Sequence, residues 1–369
     1  RVGDGWNVGM VHALTARTWA DLSQSGLRSE AEVEPRAYYG IFRGQKEFAQ
    51  GRQGLGFIST VTARAFEQDR LHEEINSRAY TVGLDGWTFL DASKTWVVNG
   101  WAGMSRVEGT PARITALQES AMHYFQRPDA GHVRLDSSRT SLTGFAGRVA
   151  LNKQRGNFYI NTAVGFIDPS FDVNDLGFQW RTDVVNGHFG AGYRWTEPRS
   201  FYRQINLNTA VFRSLDFDGN TIWTGVWARG YVQFKNYYEV GGGFALNPET
   251  VNNRLTRGGP LTLNLPGAEV FAFAESDDRK PWVFGVEGYT YRSGGGDTYN
   301  AGTTVESTSV GCIRQKTSVA SSRMRRPTLM RAISSLPAGS PGTIAARPLS
   351  RRSTPRRPGW SCARGSRAH

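Results

Sequence analysis

The stretch IWTGVWARGYVQF, Ile222 to Phe234, decides how the rest of the chain is read. Its even positions Thr224, Val226, Ala228, Gly230, Val232 and Phe234 are small or apolar, and its odd positions Trp223, Trp227, Arg229, Tyr231 and Gln233 carry the strongly polar groups. Successive side chains of a strand point to opposite faces, so this period-2 alternation marks a strand with one apolar and one polar side.

The same rule holds on either side of it. Tyr80, Val82, Leu84 and Leu90 share one parity against Thr81 and Asp85, and Trp96, Val98, Ala102 and Met104 oppose Thr95, Asn99 and Ser105. Val185, Phe189, Ala191 and Tyr193 oppose Asn186, His188 and Arg194, and Ile205, Leu207 and Val211 oppose Gln204, Asn206 and Asn208. Trp6–Ala16, Val33–Arg43, Gly54–Arg64, Thr140–Asn152, Asn157–Ile167, Tyr237–Leu246, Glu269–Glu275 and Trp282–Arg292 read the same way. This gives about 13 strands, with no convincing helix between them, and the absence of crossovers implies antiparallel pairing through hairpins.

The expected fold class is all-β, an antiparallel outer-membrane-type β-barrel. Several strands exceed the 5–6 residues usual in soluble sheets and reach the 9–11 that cross a bilayer at a tilt. Aromatics gather near strand ends, at Trp87, Phe89, Trp195, Tyr237, Tyr238, Trp282, Tyr289 and Tyr291, where interfacial girdles would place them. A large soluble β-sandwich or propeller alternates equally well; strand length and repetition favour the barrel. Mean hydropathy is −0.45 and no stretch approaches the roughly 20 apolar residues of a spanning helix, so a helical membrane protein is excluded. Short connections such as Leu215–Asn220 and Lys235–Asn236 suggest turns on one side, and Glu108–Gln118, Arg127–Arg139 and Asn247–Gly267 suggest loops on the other. The apolar parity is expected to face lipid and the polar parity the lumen.

Charge divides the chain in two. The net charge is +12, yet 13 of the 44 Lys and Arg lie in 312–369, a stretch without Asp or Glu, leaving 31 basic against 32 acidic residues in 1–311. Both cysteines, Cys312 and Cys362, lie in that stretch as well. A body without free thiols suits an oxidising compartment. Residues 1–306 are therefore expected to form the barrel domain, and 307–369 a disordered basic tail. Its Arg, Ser, Pro, Ala and Gly suit either an arm for nucleic acid or anionic lipid or out-of-frame translation of GC-rich DNA. The abrupt loss of acidic residues after Glu306 favours the second, so no nucleic-acid partner is expected. Val2 to Ala13 already reads as mid-domain sequence, so the start at Arg1 is expected to reflect truncation.

Polar residues concentrate between strands. In QRPDAGH, Pro128 and Gly131 frame a loop, and Arg127, Asp129, His132, Arg134 and Asp136 are expected to form a salt-bridged network holding a loop or plug; sugar contact through Arg127, Asp129 and Tyr124 is the alternative. In DVNDLGFQWRTD, Asn174 and Asp175 suit a turn, since their side chains bond their own backbone. Gly177 is expected to open the next strand, and Arg181 and Asp183 complete the polar set. Catalytic signals are poor. Glycosidases need two carboxylates about 5–9.5 Å apart, and Asp85, Asp175, Asp183 and Glu287 are available without evidence that any two meet. The six histidines lack zinc-site spacing, and SGGGD at Ser293–Asp297 reads as a hairpin turn, not a phosphate loop. Neither cofactor nor metal is expected.

Three stretches, RGQKEFAQGRQGLGF (Arg43 to Phe57), HYFQRPDAGHVRLDSSRTSLTG (His123 to Gly144) and SFDVNDLGFQWRTD (Ser170 to Asp183), together resemble the barrel part of bacterial proteins grouped as domain of unknown function 5916. The resemblance runs from about Val2 to Thr304. It implies an outer-membrane barrel, commonly placed after a module similar to family 9 carbohydrate-binding modules, and no established activity. The expected role is an outer-membrane barrel that anchors or serves such a carbohydrate-binding module or passes small solutes. Outer-membrane lipid would be its partner, and a glycan-processing surface enzyme is the alternative.

Overall fold

The computed structural model describes residues 5–294, 296–307 and 315–324. It begins with β1 (Trp6–Thr15), then a separate hairpin of β2 (Thr18–Gln24) and β3 (Leu27–Glu34). β4 (Arg36–Phe48), β5 (Gln53–Ala65), a short helix α1 (Asp69–Glu74), β6 (Arg78–Phe89) and β7 (Trp96–Glu108) follow. Helix α2 (Pro111–Glu119) leads to β8 (Ser141–Lys153), β9 (Phe158–Ile167), β10 (Val184–Trp195), β11 (Tyr202–Leu215), β12 (Thr221–Phe234) and β13 (Glu239–Asn247). A small hairpin of β14 (Thr250–Asn252) and β15 (Thr262–Asn264) precedes β16 (Gly267–Glu275), β17 (Trp282–Ser293), β18 (Gly296–Ser307) and β19 (Gln315–Met324).

Outside the two hairpins, the strands form one 15-stranded antiparallel sheet in which each pairs with the next in sequence; its edges are β1 and β19. The protein is all-β, and no helix among the described residues is long and apolar enough to cross a membrane. All the strands expected from alternation are present, and β17 ends at Ser293 and β18 begins at Gly296, pairing as the two arms of a hairpin.

Four expectations need correction. The tail was expected to be disordered from residue 307, yet Gln315–Met324 pairs along its whole length with β18; Cys312 and residues 325–369 lie outside the described residues. Two helices exist where none was expected. α2 is well specified: Thr110 caps it by accepting from the Arg113 backbone N–H at 3.2 Å, and Pro111 stands in its first turn. The connection Leu215–Asn220 belongs to the same sheet end as the long loops, since β11 runs into it from the end where 196–201 and 235–238 turn. Gly177 donates back to Val173 O at 2.6 Å and closes a turn, and the next strand starts only at Val184.

Pairing register sorts the side chains onto two faces. Phe57, Leu84, Ala102, Gly147, Phe166 and Val185 meet in successive cross-strand pairs. Tyr193, Leu207, Gly230, Gly242 and Ala272 continue the same face. This apolar face is exposed; Val149, Val211 and Val270 are each more than half accessible. Trp195 and Trp282 lie on it, whereas register puts Trp87, Tyr289 and Tyr291 on the opposite face, so those three are not part of an outer girdle.

The opposite face is graded along the strands. Toward the short turns it carries Arg43 with Asp85, then Asn99, Asn152, Asn161 and His188 in a hydrogen-bonded row, then Asn206 and Asn208. Toward the long connections it carries Ala79, Val107, Leu142 and Ala146, all buried. There α2 lays Ile114 and Leu117 on Ala79, Val107 and Leu142, joined by Phe125, Val133 and Leu135. A second cluster gathers Val184, Ile222 and Val251 with Ile167 and Leu261. The long connections thus form a packed block over one end of the polar face.

Candidate functional site

The block closes on Asp183, the last residue before β10. It adopts φ 57°, a left-handed conformation that Asp tolerates, and is 4% exposed. Its carboxylate accepts from Arg127 Nη2 at 2.6 Å and from the Phe217 backbone N–H at 3.0 Å, and it meets His132 Nε2 at 2.7 Å. His132 Nδ1 lies 2.8 Å from Asp218 Oδ2, a charge contact without hydrogen-bond alignment. Asp218 Oδ2 also accepts from Gly131 N at 2.8 Å. One carboxylate and one imidazole thereby tie together three connections, residues 109–140, 168–183 and 216–220.

Charge and burial oppose each other here. Burial alone would raise the Asp183 carboxyl, but His132, the Phe217 N–H and Arg127 bring it below its usual range. Burial would lower the His132 imidazole, but Asp183 and Asp218 raise it above its ordinary value. Asp216, 2% exposed and bonded to Asn220, is pushed up by burial and by the neighbouring charge of Asp183. Burial brings Arg181 down to about 10, with Arg254 and Arg127 adding repulsion, and it donates to Asn253 Oδ1 at 2.9 Å. Arg254 reaches the carbonyls of Ala121, Met122 and Trp180 and stacks over Tyr124 at 5.3 Å.

The second centre is built around Asp175. It accepts from Arg64 of β5 at 2.5 Å and from Asn76 Nδ2 at 2.8 Å, and Asn76 Oδ1 accepts from Arg113 Nε at 2.8 Å. Asp172 backbone N–H donates to Ser105 Oγ at 2.8 Å, and its carboxylate lies 3.4 Å from the fully buried His123 ring. Beside this centre a cavity of about 520 Å³ is lined by Arg64, Asn76, Arg113, Asp175, Gln179 and Trp180 among others.

The expected network therefore resolves into two centres and some local contacts. Arg127, His132 and Asp183 meet directly, and Arg181 is their charged neighbour. Asp175 and Asn174 belong to the second centre, where Asn174 caps its own turn by accepting from Gln179 N at 2.7 Å. Asp129 takes the Leu261 N–H and so fastens the β14–β15 hairpin. The Asp136 carboxylate holds Ser138 and Arg139, which lower its pKa, while its backbone N–H donates to Gln118 Oε1 at 3.0 Å and its carbonyl accepts from Gln118 Nε2 at 2.9 Å, tying it to α2. Sequence reasoning missed Arg64, Asn76, Arg113, Asp216, Asp218 and Arg254. For Asp216 and Asp218 a signal was present, since DFDGN at 216–220 has the composition of an Asx-capped turn; the others have none. Of the carboxylates considered for catalysis, Asp85, Asp175 and Asp183 are each held by an arginine. Among the described residues, no group of three His, Cys, Asp or Glu side chains is arranged to hold a metal ion.

The model of the domain of unknown function DUF5916 matches residues 1–308. The chain belongs to this family. Both centres of the DUF5916 chain fall inside the matched region. No curated protein matches it. Among solved structures it is similar to one described as "Asymmetric conductivity of engineered proteins", at 13% identity and a TM-score of 0.30 over 86% of this chain and 92% of that one.

Proposed function

We propose that the DUF5916 chain is an outer-membrane β-barrel protein, with its apolar face toward lipid and its polar face lining a lumen whose mouth the loop block occupies. It acts there as an anchor, serving a carbohydrate-binding module, and as a restricted path for small solutes. The observation that carries this reading is the exposed apolar face, continuous over successive strands and free of Asp, Glu, Lys and Arg between two charged rims, where Glu108 pairs with Arg106 on the long-connection side. Lys46 and Lys153 stand at the short-turn end of that face, and Arg36, Arg106 and Arg213 at the other. On β12 the uncharged run of this face, from Thr224 to Val232, spans about 27 Å along the strand, or about 20 Å along a membrane normal at the usual tilt, close to the apolar band of known barrels. Burying so much apolar area in water-soluble form would need a second layer over this face, and the long connections pack on the other one.

With fifteen strands, β1 and β19 run in the same direction, so pairing them directly would be parallel; antiparallel closure takes an even number. The test is migration of the lipid- or micelle-extracted protein on a gel with and without heating. Heat-modifiable migration is expected, and a monomer that stays soluble without detergent refutes the proposal. The assignment of faces is tested by charged substitution. Val226→Arg, on the apolar face, should cost about 2–4 kcal/mol of folding into vesicles, and a larger loss from Trp227→Arg refutes the assignment.

A further inference from the structure

The cavity beside Asp175 has the features of a ligand site. Its volume of about 520 Å³ falls within the range of small-molecule pockets. Arg113 lines it with a guanidinium anchored at one end only: Nε donates to Asn76, and neither Nη nitrogen has a hydrogen-bond partner among the described residues. Asn76 is in turn fixed by Asp175, and Asp175 by Arg64, so the fork of donors is preorganised. Gln179, also in the lining, spends its amide nitrogen on the carbonyls of Phe171 and Arg181, while its Oε1 is buried without a partner. Trp180, 68% exposed, adds an indole to the lining.

The charges of the lining cancel, with Arg64 and Arg113 against Asp172 and Asp175. An anion would gain the Arg113 fork but meet two carboxylates, and a cation would meet two guanidiniums. A neutral molecule with adjacent hydroxyl groups suits both the donors and the acceptor, and offers C–H surface to an indole. We propose that this cavity binds a neutral saccharide, with a vicinal hydroxyl pair on the Arg113 fork, a hydroxyl donating to Gln179 Oε1 and one ring face against Trp180. The site is made by the connections and β5 alone, so it does not depend on the sheet lying in a bilayer.

The test uses the full chain in amine-oxide micelles, whose head group carries no sugar. Glucose, maltose, cellobiose and diacetylchitobiose are titrated by calorimetry, with inorganic phosphate and glucuronate as anionic probes. At least one of the neutral sugars should bind, with Kd of about 1 mM or lower. Arg113→Lys, which keeps the charge and loses the fork, and Trp180→Ala should each weaken it about tenfold or more. Heat-modifiable migration checks that each variant is folded, and Trp180, being exposed, can be removed without disturbing the block. Trp223→Ala, an exposed indole outside the cavity, should leave binding unchanged. The proposal is overturned if no neutral sugar binds up to about 10 mM, if only phosphate or glucuronate binds, or if both cavity variants bind as the parent does.

Discussion

Replacing Asp183 by Asn keeps the size of the side chain and removes the charge on which three connections close. Arg127 is 5% exposed, its Nε already has no partner, and its Nη2 loses the carboxylate 2.6 Å away. Orphaning one member of a buried ion pair costs about 3–5 kcal/mol. Two effects favour the lower end. The carbonyl of the substituted amide can still accept from the Phe217 N–H, and Asp216, whose carboxyl the charge of Asp183 pushes up, is relieved of that repulsion. A cost of about 3 kcal/mol corresponds to roughly a hundredfold shift toward the open block. The cost should appear as local opening, because water reaching Arg127 removes it without unpairing the sheet. Hydrogen exchange of amides in 120–140, 168–183 and 216–220 should accelerate roughly a hundredfold, with amides of β11 and β12 as internal reference. Adding Arg127→Met should recover most of the protection, since the uncompensated charge is then gone. An acceleration below tenfold, or one shared equally by the strands, refutes the reasoning.

The same latch sets a pH dependence. His132 is raised above its ordinary 6.5, so its contribution is complete below that value and lost as pH rises through the folded pKa; Asp183 is lowered from 3.8, so its contribution is complete above that value and lost as pH falls through its folded pKa. Protection of 120–140, corrected for intrinsic exchange, should therefore be greatest between about pH 4 and 6.5, and His132→Gln should flatten the alkaline side and move the acid edge to higher pH, since His132 also lowers Asp183. Gly144 lies under the backbone of Ser170 and Phe171, where a Cβ would collide with main-chain atoms. Gly144→Val should displace residues 168–172 and raise protease cleavage there while heat-modifiable migration persists; Gly288→Ala, with open space around it, should change neither.

The alternation of single strands was enough to find the sheet and to sort its faces. Val226 pairs with Val211 and Leu246 on one face, and Trp227 with Ala210 and Ala245 on the other, as the parities of residues 222–234 implied. What alternation could not supply is direction along a face. Leu142 and Asn152 have the same parity in β8, yet one is 1% exposed under the loop block and the other joins the asparagine row. That difference follows from which strand end meets the long connections, a fact of topology. The misplacement of 215–220 has the same origin, since so short a connection looks like a turn whichever end it occupies. In the site, the polar residues of 127–132 and 174–183 stood out by density, and Arg127, His132 and Asp183 do meet. Their partners Asp218, Arg64 and Arg254 come from segments distant in sequence, and only the packing of the connections unites them.

The grading of the polar face bears on where selectivity would reside in the proposed barrel. Near the short turns, Asn99, Asn152, Asn161 and His188 bond in a row and Asn208 donates to Asn206 beyond it, so a hydrated solute following this wall would exchange water for amide at little net cost. Nearer the other end the same face turns to Ala79, Val107, Leu142 and Ala146, and α2 packs against it without room for solvent. A solute moving along the wall of the proposed barrel would therefore meet the block. In the proposed barrel, passage would require the contacts at Asp183 or Asp175 to open, and both are buried ion pairs. The cavity at Arg113 lies against the second of these pairs, sharing Arg64 and Asp175 with it. A ligand seated there would bias the block toward its closed state if the cavity is complete only when the block is closed. Sugar binding and loop protection should then rise and fall together: saturating sugar should slow exchange in 168–183 of the parent and leave Trp180→Ala unaffected at the same concentration. Slowing of equal size in both would mean that the sugar acts elsewhere.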